Sequence, residues 1–313
     1  MSLKRDILNE LKEADGFVSG QTLAQRFSKS RAAVWKAIKA LRKEGYVIDA
    51  VTNRGYCLSS ENDLLSAEII KSRLSCKINV HYFDSIDSTN TEAKRRISSG
   101  DLSEMLIVAN EQTSGRGRQG KSFYSPALTG IYMTLVIHPD VSLRNAVTAT
   151  TAAAVAVCRA IETLTELKPQ IKWVNDVYLN GNKICGILTE AVSDFETGTV
   201  SSVIIGIGIN IKTVNFPSEI ENAGSLGIDI RRADLIAETA NELMKITLGD
   251  YKGFIDYYRS HSLILGRKIN YIEDGKITAA TAMEIDETGG LTVKKENGEI
   301  LTLRSGEISI RKA

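Results

Sequence analysis

The sequence has few cysteines and histidines, and no long apolar run. The four cysteines, Cys57, Cys76, Cys158 and Cys185, form no C-x-x-C pair and lie near no histidine cluster. This scatter argues against a disulfide framework or a zinc site, and it predicts a protein of the reducing cytoplasm. We find no apolar stretch long enough to cross a bilayer and no signal peptide at the start, so we expect no membrane attachment.

The 313 residues are enough for two or three domains, and the hydrophobic (43%) and charged (25%) shares are ordinary for a globular protein. The formal net charge of +1 hides an asymmetry along the chain. Residues 1–60 contain 11 lysines and arginines against 6 aspartates and glutamates, whereas the remainder contains 28 against 32. A basic N-terminal block followed by a mildly acidic body points to nucleic acid as a partner.

The basic block has the pattern of three helices followed by a hairpin. We predict helices over residues 3–14, 21–27 and 31–44 and a hairpin over 46–58. Two serine N-caps and a glycine stop give the helix boundaries: Ser19, Ser30 and Gly45. This order of elements predicts a winged helix-turn-helix DNA-binding domain over residues 1–61.

The third predicted helix has one apolar and one basic face. Val34, Ile38 and Leu41 recur at i, i+4 and i+7 and are expected to face the core. The expected DNA-binding residues lie on the other side and at the hairpin tip: Arg31, Ala32, Lys36, Lys39, Lys43 and Arg54. Exposed lysines are often only a solvated face. The order of the elements and the +5 charge together favour DNA binding.

The middle of the chain, residues 62–265, alternates strand-like apolar runs with helices. The predicted strands are 105–109, 131–137, 171–174, 183–190 and 203–209, and the predicted helices are 88–98, 145–164 and 231–248. Strands outnumber helices, and short turns connect several of them. We therefore predict an α+β domain with a mixed, mostly antiparallel sheet and helices against one face.

A glycine- and arginine-rich segment, G-R-G-R-Q-G-K-S at 115–122, is the most informative stretch. Its glycines let the backbone approach a ligand, and its cations supply donors for carboxylate or phosphate oxygens. The segment also matches the P-loop pattern G-x-x-x-x-G-K-[ST], which requires a helix directly afterwards. Because residues 123–126 read F-Y-S-P and a β-type run follows, we disfavour a P-loop. A flexible basic surface loop is the plainer alternative.

Two further segments carry polar groups beside apolar strands. Residues 172–178 read K-W-V-N-D-V-Y, and their Asn-Asp pair could bind a ligand's polar atoms, or Mg²⁺ through water. Residues 206–210 read G-I-G-I-N, and glycines inside an apolar strand indicate close backbone approach or a bulge. Each is weak alone, since Asn-Asp is most often a turn and the second lacks the third glycine of a dinucleotide site.

Taken together, these segments resemble the biotin–protein ligases. The motifs G-R-G-R-x-G, K-W-x-N-D-x-Y, K-x-x-G-I-L-x-E (183–190) and G-x-G-x-N occur in this order and are highly specific as a set, and the resemblance covers nearly the whole chain. With its N-terminal winged helix, the chain is similar to the bifunctional members, which are ligase and biotin operon repressor in one. The resemblance implies a catalytic domain over 62–265 related to the class II aminoacyl-tRNA synthetases.

The resemblance also implies the roles of particular residues. Biotin-binding residues are implied at Ser88, Thr89, Asn90, Gln112, Arg116, Gly117, Arg118 and Lys183. Nucleotide-binding residues are implied at Arg116, Arg118, Lys121, Phe123, Asn175 and Asn210, and catalytic residues at Arg118, Lys183 and Asp176. These implied roles also have plainer structural explanations: Ser88 could be only an N-cap, Lys183 a strand-edge lysine and Asn210 a turn former.

Three residues depart from the family pattern. Many members have Trp where this chain has Phe123, Arg where it has Lys121 and Pro where it has Val174. A phenylalanine can still stack on adenine, with less area, and a lysine keeps the charge but loses the bidentate fork of arginine. The departures bear on the tightness of nucleotide binding rather than on the reaction.

The implied reaction joins biotin to ATP and passes biotin from biotinyl-5′-AMP to a lysine of a biotin carboxyl carrier protein. The carboxylate of biotin must meet the α-phosphate, so Arg116, Arg118, Lys183 and Mg²⁺ are expected to screen the repulsion. The acceptor lysine, with a pKa of about 10.4, must lose a proton, which Asp176 could position or accept. The resemblance further implies operator DNA and a second copy of the chain, in a homodimer, as partners.

From residue 266 short strands are separated by turns at 273–275, 288–290, 296–298 and 305–306. Five strands in under fifty residues predict a small SH3-like β-barrel over 266–313.

Three functions stay open on the sequence alone. The preferred one is a ligase that also represses biotin synthesis genes in response to biotin. The alternatives are a ligand-sensing repressor with little ligase turnover and a ligase that binds no operator. Lipoate ligation shares the fold, and only the family resemblance of the arginine loop argues against it.

Overall fold

The structure is a computed structural model that describes residues 3–43, 46–59, 63–138, 146–193, 200–247, 249, 251–273, 276–306 and 308–310. The chain divides into two compact units, residues 1–64 and 65–313. Several predicted boundaries fall outside the described residues: Gly45, Asn145, Leu248, the turn residues Asp274 and Gly275, and the domain border at 61/62.

The first unit has the predicted helices and hairpin. Its elements are α1 (Leu3–Glu13), α2 (Gly20–Arg26), α3 (Arg31–Lys43), β1 (Ile48–Val51) and β2 (Gly55–Leu58), and the two strands pair antiparallel. Both predicted serine caps are present: Ser19 accepts the backbone N–H of Thr22 at 3.0 Å, and Ser30 accepts that of Ala33 at 3.1 Å. Such caps satisfy N–H groups that the helix itself leaves without a partner.

The core of the first unit follows the apolar periodicity of its helices. Val34, Ile38 and Leu41 of α3 are each 1% exposed, as the spacing predicted. They share this core with Ile7 of α1 and Leu23 of α2, both fully buried. The three helices therefore bury one stripe each, which leaves the other face of α3 in solvent.

The described residues of the second unit form a seven-stranded sheet and five α-helices. The strands are β3 (Asn79–Phe83), β4 (Met105–Ala109), β5 (Gly130–Ile137), β6 (Gln170–Lys172), β7 (Asp176–Leu179), β8 (Asn182–Ser193) and β9 (Val200–Asn210). The helices are α4 (Ala67–Lys71), α5 (Thr89–Ser98), α6 (Ala146–Leu164), α7 (Arg232–Thr247) and α8 (Tyr251–Ser260). The strand order is β3-β4-β5-β9-β8-β7-β6. Only the β3–β4 pair is parallel, which confirms a mixed, mostly antiparallel sheet.

The prediction that the helices cover one face of this sheet is wrong. Leu106 and Val108 of β4 belong to the core that contains α6 and α7, whereas Met105 and Ile107 pack with Ala93 of α5. Successive side chains of a strand point to opposite faces, so α5 lies on the face opposite α6 and α7. A strand that is apolar at every position, as β4 is, is buried on both faces. The sequence prediction also missed β3, β7, α4 and α8.

Helix α6 corrects a second expectation. Within it, residues 147–164 are long and apolar enough to span a membrane by length and composition, with a mean hydropathy of 1.3. However, 72% of this stretch is buried inside the protein, and α6 packs against α7, α8 and the sheet. The apolar run therefore forms the central core helix of the second unit.

The last residues form a second, five-stranded sheet. Its strands are β10 (Lys268–Glu273), β11 (Lys276–Ile285), β12 (Leu291–Lys295), β13 (Ile300–Leu303) and β14 (Ile308–Ile310), all antiparallel in the order β13-β12-β11-β10-β14. The predicted number of strands is confirmed. Its buried residues, such as Ile269, Ala282 and Val293, join the core of the seven-stranded sheet. The predicted domain border at 265/266 stays a prediction.

Candidate active site and nucleic-acid interface

A cavity of about 660 Å³ opens on the α5 side of the seven-stranded sheet. A volume of this size is typical of a small-ligand site. All residues that the sequence marked as biotin-binding, nucleotide-binding or catalytic line it: Ser88, Thr89, Asn90, Gln112, Arg116, Gly117, Arg118, Lys121, Phe123, Asn175, Asp176, Lys183 and Asn210. The fold thus brings together groups that lie up to 122 residues apart in the chain.

A buried polar network forms one end of the cavity, at the start of α5. Ser88 is the N-cap of this helix, and the side chains of Thr89 and Asn90 are almost fully buried. The amide oxygen of Gln112 accepts the Thr89 backbone N–H at 2.9 Å. The hydroxyl of Thr134 lies 2.7 Å from Asn90 Oδ1 and 2.8 Å from the Thr89 hydroxyl. Because each group holds its neighbour, these side chains are fixed in position.

The glycines of the G-I-G-I-N segment leave room for other side chains against β9. A Cβ atom at Gly206 would lie 2.1 Å from Asn90 Oδ1, and one at Gly208 would lie 2.4 Å from Cε1 of Phe123. Gly208 pairs with Gly186 of β8, which the Phe123 ring also contacts. The close approach predicted from these glycines is confirmed, and the groups that approach are Asn90 and the Phe123 ring.

The glycine–arginine loop, residues 115–122, is a tight turn beside the cavity. The backbone N–H of Gly117 donates to the carbonyl of Lys121 at 2.7 Å, and the backbones of Arg116 and Ser122 form an isolated antiparallel β-bridge. Residues 118–120 form a single 3₁₀ turn, and residues 121–129 form no helix. A P-loop needs a helix N-terminus at this point, so the P-loop alternative is excluded.

Each of the two predicted catalytic cations contacts a polar side chain near β7. Arg118 donates to Asn175 Oδ1 at 2.8 Å, and the Lys183 ammonium lies 2.6 Å from Asp176 Oδ1. That carboxylate oxygen is buried and accepts no well-directed hydrogen bond from the described residues, so its contact with Lys183 is an ion pair. The strand predicted over 171–174 ends at Lys172; Asn175 lies in the following turn, and Asp176 begins β7.

Glu190 is a site residue to which the sequence reasoning gave no role. It accepts a hydrogen bond from Asn90 Nδ2 at 3.0 Å and one from Lys94 Nζ at 2.7 Å, and Arg116 Nη2 lies 3.6 Å away. Burial raises the pKa of the Glu190 carboxyl, but the bonds from Lys94 and Asn90 outweigh it and hold the pKa below its usual value. The period-two alternation with Gly186 could have placed it on the cavity face.

Other parts of the cavity wall also went unpredicted. Phe216, Glu219, Ile220, Glu221 and Ala223 line it from the segment after β9; Gly306, which lies between β13 and β14, and Ile308 of β14 also line it. The Phe216 ring meets that of Tyr124 edge-on, with 6.4 Å between centroids. Asn210 donates to the Gly224 carbonyl at 3.0 Å, while its buried Oδ1 accepts no hydrogen bond from the described residues. That oxygen can therefore serve a ligand's donor.

The first unit carries the candidate nucleic-acid interface. All six predicted DNA-binding residues are exposed: Arg31, Ala32, Lys36, Lys39, Lys43 and Arg54. Five lie on α3, and Arg54 lies in the turn between β1 and β2, with its guanidinium 4.4 Å from the Phe17 ring centroid. Trp35 stands beside them, 53% exposed, with the Lys39 ammonium 5.3 Å from its ring centroid. Basic side chains are thus exposed both on α3 and in the hairpin turn, the two elements that a winged helix-turn-helix presents to DNA.

Comparison with known proteins agrees with this architecture. The sequence pattern of the Biotin/lipoate A/B protein ligase family matches residues 82–210, and that of an HTH domain matches residues 4–57. The chain is 34% identical to the bifunctional ligase/repressor BirA of Bacillus spizizenii, over 99% of both chains. It is 29% identical to the protein of the same name from Escherichia coli (strain K12), over 95% of this chain and 94% of that one.

A solved structure shares the fold of the larger unit. The biotin protein ligase from Aquifex aeolicus in complex with biotin and ATP is 28% identical to this chain, with a TM-score of 0.62 over 75% of this chain and 99% of that one. With one third of its residues identical to a relative along nearly its whole length, the chain belongs to the family of the bifunctional ligase/repressor BirA.

Proposed function

We propose that the protein activates biotin with ATP, transfers it to a lysine of a biotin carboxyl carrier protein, and represses biotin synthesis genes through its N-terminal unit. The observation that carries the ligase proposal is the convergence of the thirteen predicted ligand-binding and catalytic residues on one cavity of about 660 Å³. The observation that supports DNA binding is the exposed basic face of α3. The family of the chain agrees with both.

In the first step, a carboxylate oxygen of biotin attacks the α-phosphorus of ATP, and the bond to pyrophosphate breaks. Arg116, Arg118 and Lys183 line the cavity and offset the repulsion between the two anions, and they stabilise the charge of the transition state. No side-chain nucleophile is needed. Ser88, Thr89, Asn90 and Gln112 bind the polar ring of biotin, while Phe123, Lys121, Asn175 and Asn210 contact the nucleotide.

In the second step, the amine of the acceptor lysine attacks the acyl carbon of biotinyl-5′-AMP, and AMP leaves. The lysine must first lose a proton, because its ammonium form has no lone pair. Asp176 positions that ammonium or accepts its proton, since its carboxylate already holds a cationic amine, Lys183, at 2.6 Å. Anion binding by Lys183 releases Asp176 for this role. Gly117 and the rest of the loop exclude water from the reactive anhydride.

The side chains of the cavity are compatible with Mg²⁺ carried by ATP. Among the described residues no three His, Cys, Asp or Glu side chains cluster as a metal site. Mg²⁺ commonly binds through one or two protein oxygens plus substrate phosphates and water, so a dedicated cluster is not required. Asp176, in the Asn175–Asp176 pair that lines the cavity, is the residue that would hold it through water. When bound, the ion neutralises phosphate charge and polarises the α-phosphate.

For the repressor activity, the α3 residues Lys36, Lys39 and Lys43 contact operator DNA, with Arg31, Ala32 and the hairpin residue Arg54. We propose a cytoplasmic homodimer as the DNA-bound form, because operator half-sites pair with two-fold symmetric proteins. We also propose domains at 1–61, 62–265 and 266–313. The mixed sheet supports a relation of the second to class II aminoacyl-tRNA synthetases, and five antiparallel strands support an SH3-like barrel for the third.

The decisive experiment is biotin-dependent exchange of labelled pyrophosphate into ATP by the intact protein. We expect exchange with biotin and little with lipoate; absence of exchange with biotin would refute the enzyme proposal and leave a ligand-sensing repressor. Transfer of labelled biotin to a carrier protein tests the second step. Footprinting of promoters of biotin synthesis genes, with and without biotin and ATP, tests the repressor, and no protection would leave a ligase without an operator.

A further inference from the structure

Glu190 is a carboxylate just behind the wall of the cavity. It lies on β8 in the same period-two series as Gly186 and Leu188, which both line the cavity. Its side chain is 19% exposed. Neither Glu190 nor Lys94 is among the described residues that line the cavity. Glu190 is therefore placed to act on a ligand through the residues that it contacts.

Two of those residues belong to different ligand-binding segments. Asn90, at the start of α5, donates to Glu190 Oε2 at 3.0 Å, and Arg116 of the glycine–arginine loop lies 3.6 Å from Oε1. The third partner, Lys94, donates to Oε1 at 2.7 Å. The carboxylate thus joins a helix N-terminus and a loop, which are 26 residues apart in the sequence, to a strand of the sheet.

The charges make Glu190 the anchor of this group. The lowered pKa of its carboxyl keeps Glu190 anionic at neutral pH, and Lys94 and Arg116 both carry positive charge. Lys94 is at hydrogen-bond distance, but Arg116 is at 3.6 Å with its side chain 47% exposed. The contact with Arg116 is therefore the weaker one, and Arg116 can leave Glu190 to bind the anion of a ligand.

We propose that Glu190 is a positioning residue of the ligase, which holds Arg116 over the cavity and Asn90 against β9 so that both are preset for biotin and its adenylate. The proposal rests on the ligase function proposed above and adds a residue to its machinery. Glu190 touches no reacting atom. It lowers the cost of ordering the loop when the ligand binds, and such preorganisation strengthens binding without new ligand contacts.

The first test measures the pyrophosphate-exchange kinetics of Glu190→Gln. Glutamine keeps the size and an amide oxygen for Asn90 but loses the negative charge that attracts Arg116. We expect KM for biotin to rise about tenfold, as for loss of one charge-assisted contact, with a smaller fall in kcat because Arg116 also stabilises the transition state. The matched control is Glu92→Gln on α5, whose carboxylate is 15% exposed, pairs with Arg95 and Arg96, and lies outside the cavity lining.

An unchanged KM in Glu190→Gln, or an equal rise in Glu92→Gln, would overturn the proposal. A drop in kcat with no rise in KM would also overturn it, because Glu190 would then have no effect on the binding of biotin. Thermal unfolding of both variants identifies a change that comes from misfolding. Absence of exchange in the wild-type protein contradicts the ligase function, and the second test then still decides on Glu190.

The second test needs no ligand and no activity. Trypsin cleaves after arginine. The initial rate of its cleavage after Arg118 therefore reports how often the glycine–arginine loop opens away from β8. We expect Glu190→Gln to speed this cleavage about threefold or more relative to wild type and to Glu92→Gln. Arg116→Gln should speed it similarly, and the double variant should be no faster than either, because both remove the same contact. Additive effects, or equal rates in all variants, would refute the anchoring of Arg116 by Glu190.

Discussion

The two units of the protein differ in where their predicted functional residues lie: on an exposed face in the first unit and around a cavity in the second. In the first unit the predicted DNA-binding residues lie within 24 residues, on one helix and one turn, and all are in solvent. In the second unit the predicted ligand residues span 88–210 and come from a helix, three strands and the loops and turn between elements, all around a cavity. A surface made by one helix can be inferred from periodicity, whereas a cavity depends on how distant strands pair.

The comparison predicts that the two functions can be separated by mutation, with the largest effect at Lys183. Lys183→Ala should lower kcat/KM for biotin-dependent exchange by about 100-fold or more, because the anions lose a charged donor inside the cavity. It should also leave Asp176 buried without its cation. DNA affinity, measured without biotin and ATP, should not change. Lys245→Ala is the control, since that lysine pairs with Glu242 on α7 outside the cavity; similar losses in both variants would contradict the assigned role.

The next largest effect is expected at Gly206. Gly206→Ala places a Cβ atom 2.1 Å from Asn90 Oδ1, so Asn90 must leave its contacts with Thr134 and Glu190. We expect a loss of about 2 kcal/mol in unfolding free energy of the second unit and about tenfold weaker biotin binding by calorimetry. Adding Asn90→Ala should restore much of the stability but not the binding. If the double variant binds biotin normally, Asn90 has no part in the site.

The elements that the sequence predicted well share one property: their apolar residues recur regularly, and the structure buries them. Leu41 in α3 and the continuous run in β4 are buried as their periodicity requires. The strand β7 was missed because it has only four residues and begins with the charged Asp176. Helix α5 was assigned to the wrong face, since nothing in its own sequence reports which side of the sheet it covers.

The candidate site shows the same limit at the level of side chains. Sequence motifs named Arg116 and Asn90, but the carboxylate that joins them, Glu190, is 74 and 100 residues further along the chain. Its contacts arise from the pairing of β8 with β9 and from the packing of α5 on that face. Phe216 lines the cavity from a segment that is neither strand nor helix, so no periodicity could indicate it. The motif at 183–190 ends in Glu190, but a single sequence does not show which residues Glu190 contacts.

A smaller effect is expected on the exposed face of the first unit. Lys36→Ala with Lys39→Ala should weaken binding to a labelled DNA duplex about tenfold near physiological salt, since both ammonium groups are in solvent on α3. If each lysine meets one phosphate, the slope of log K against log salt should fall by about 0.9 per lysine. Biotin-dependent exchange should be unchanged. Lys12→Ala on α1 is the control, and an equal loss there would indicate only a general effect of net charge.

The smallest effect repeats the glycine-to-alanine change of Gly206 in the first unit. Gly20 begins α2, and a Cβ atom there would lie 3.4 Å from Cε2 of Tyr56, an ordinary contact. Gly20→Ala should therefore stabilise the first unit by about 0.5 kcal/mol, because alanine loses less backbone entropy on entering a helix. Slower hydrogen exchange of the α2 amides measures the gain.

The control for Gly20 is Gly16, where open space surrounds the added atom but φ is +113°. Gly16→Ala should destabilise the unit by about 1 kcal/mol, since an L side chain is strained at that angle. The three glycines then separate three causes: a side-chain collision at Gly206, backbone strain at Gly16 and neither at Gly20. Faster exchange in Gly20→Ala would show that the Tyr56 ring cannot accommodate the methyl group. The packing around Gly20 in the first unit would then be as restrictive as that around Gly206 in the second.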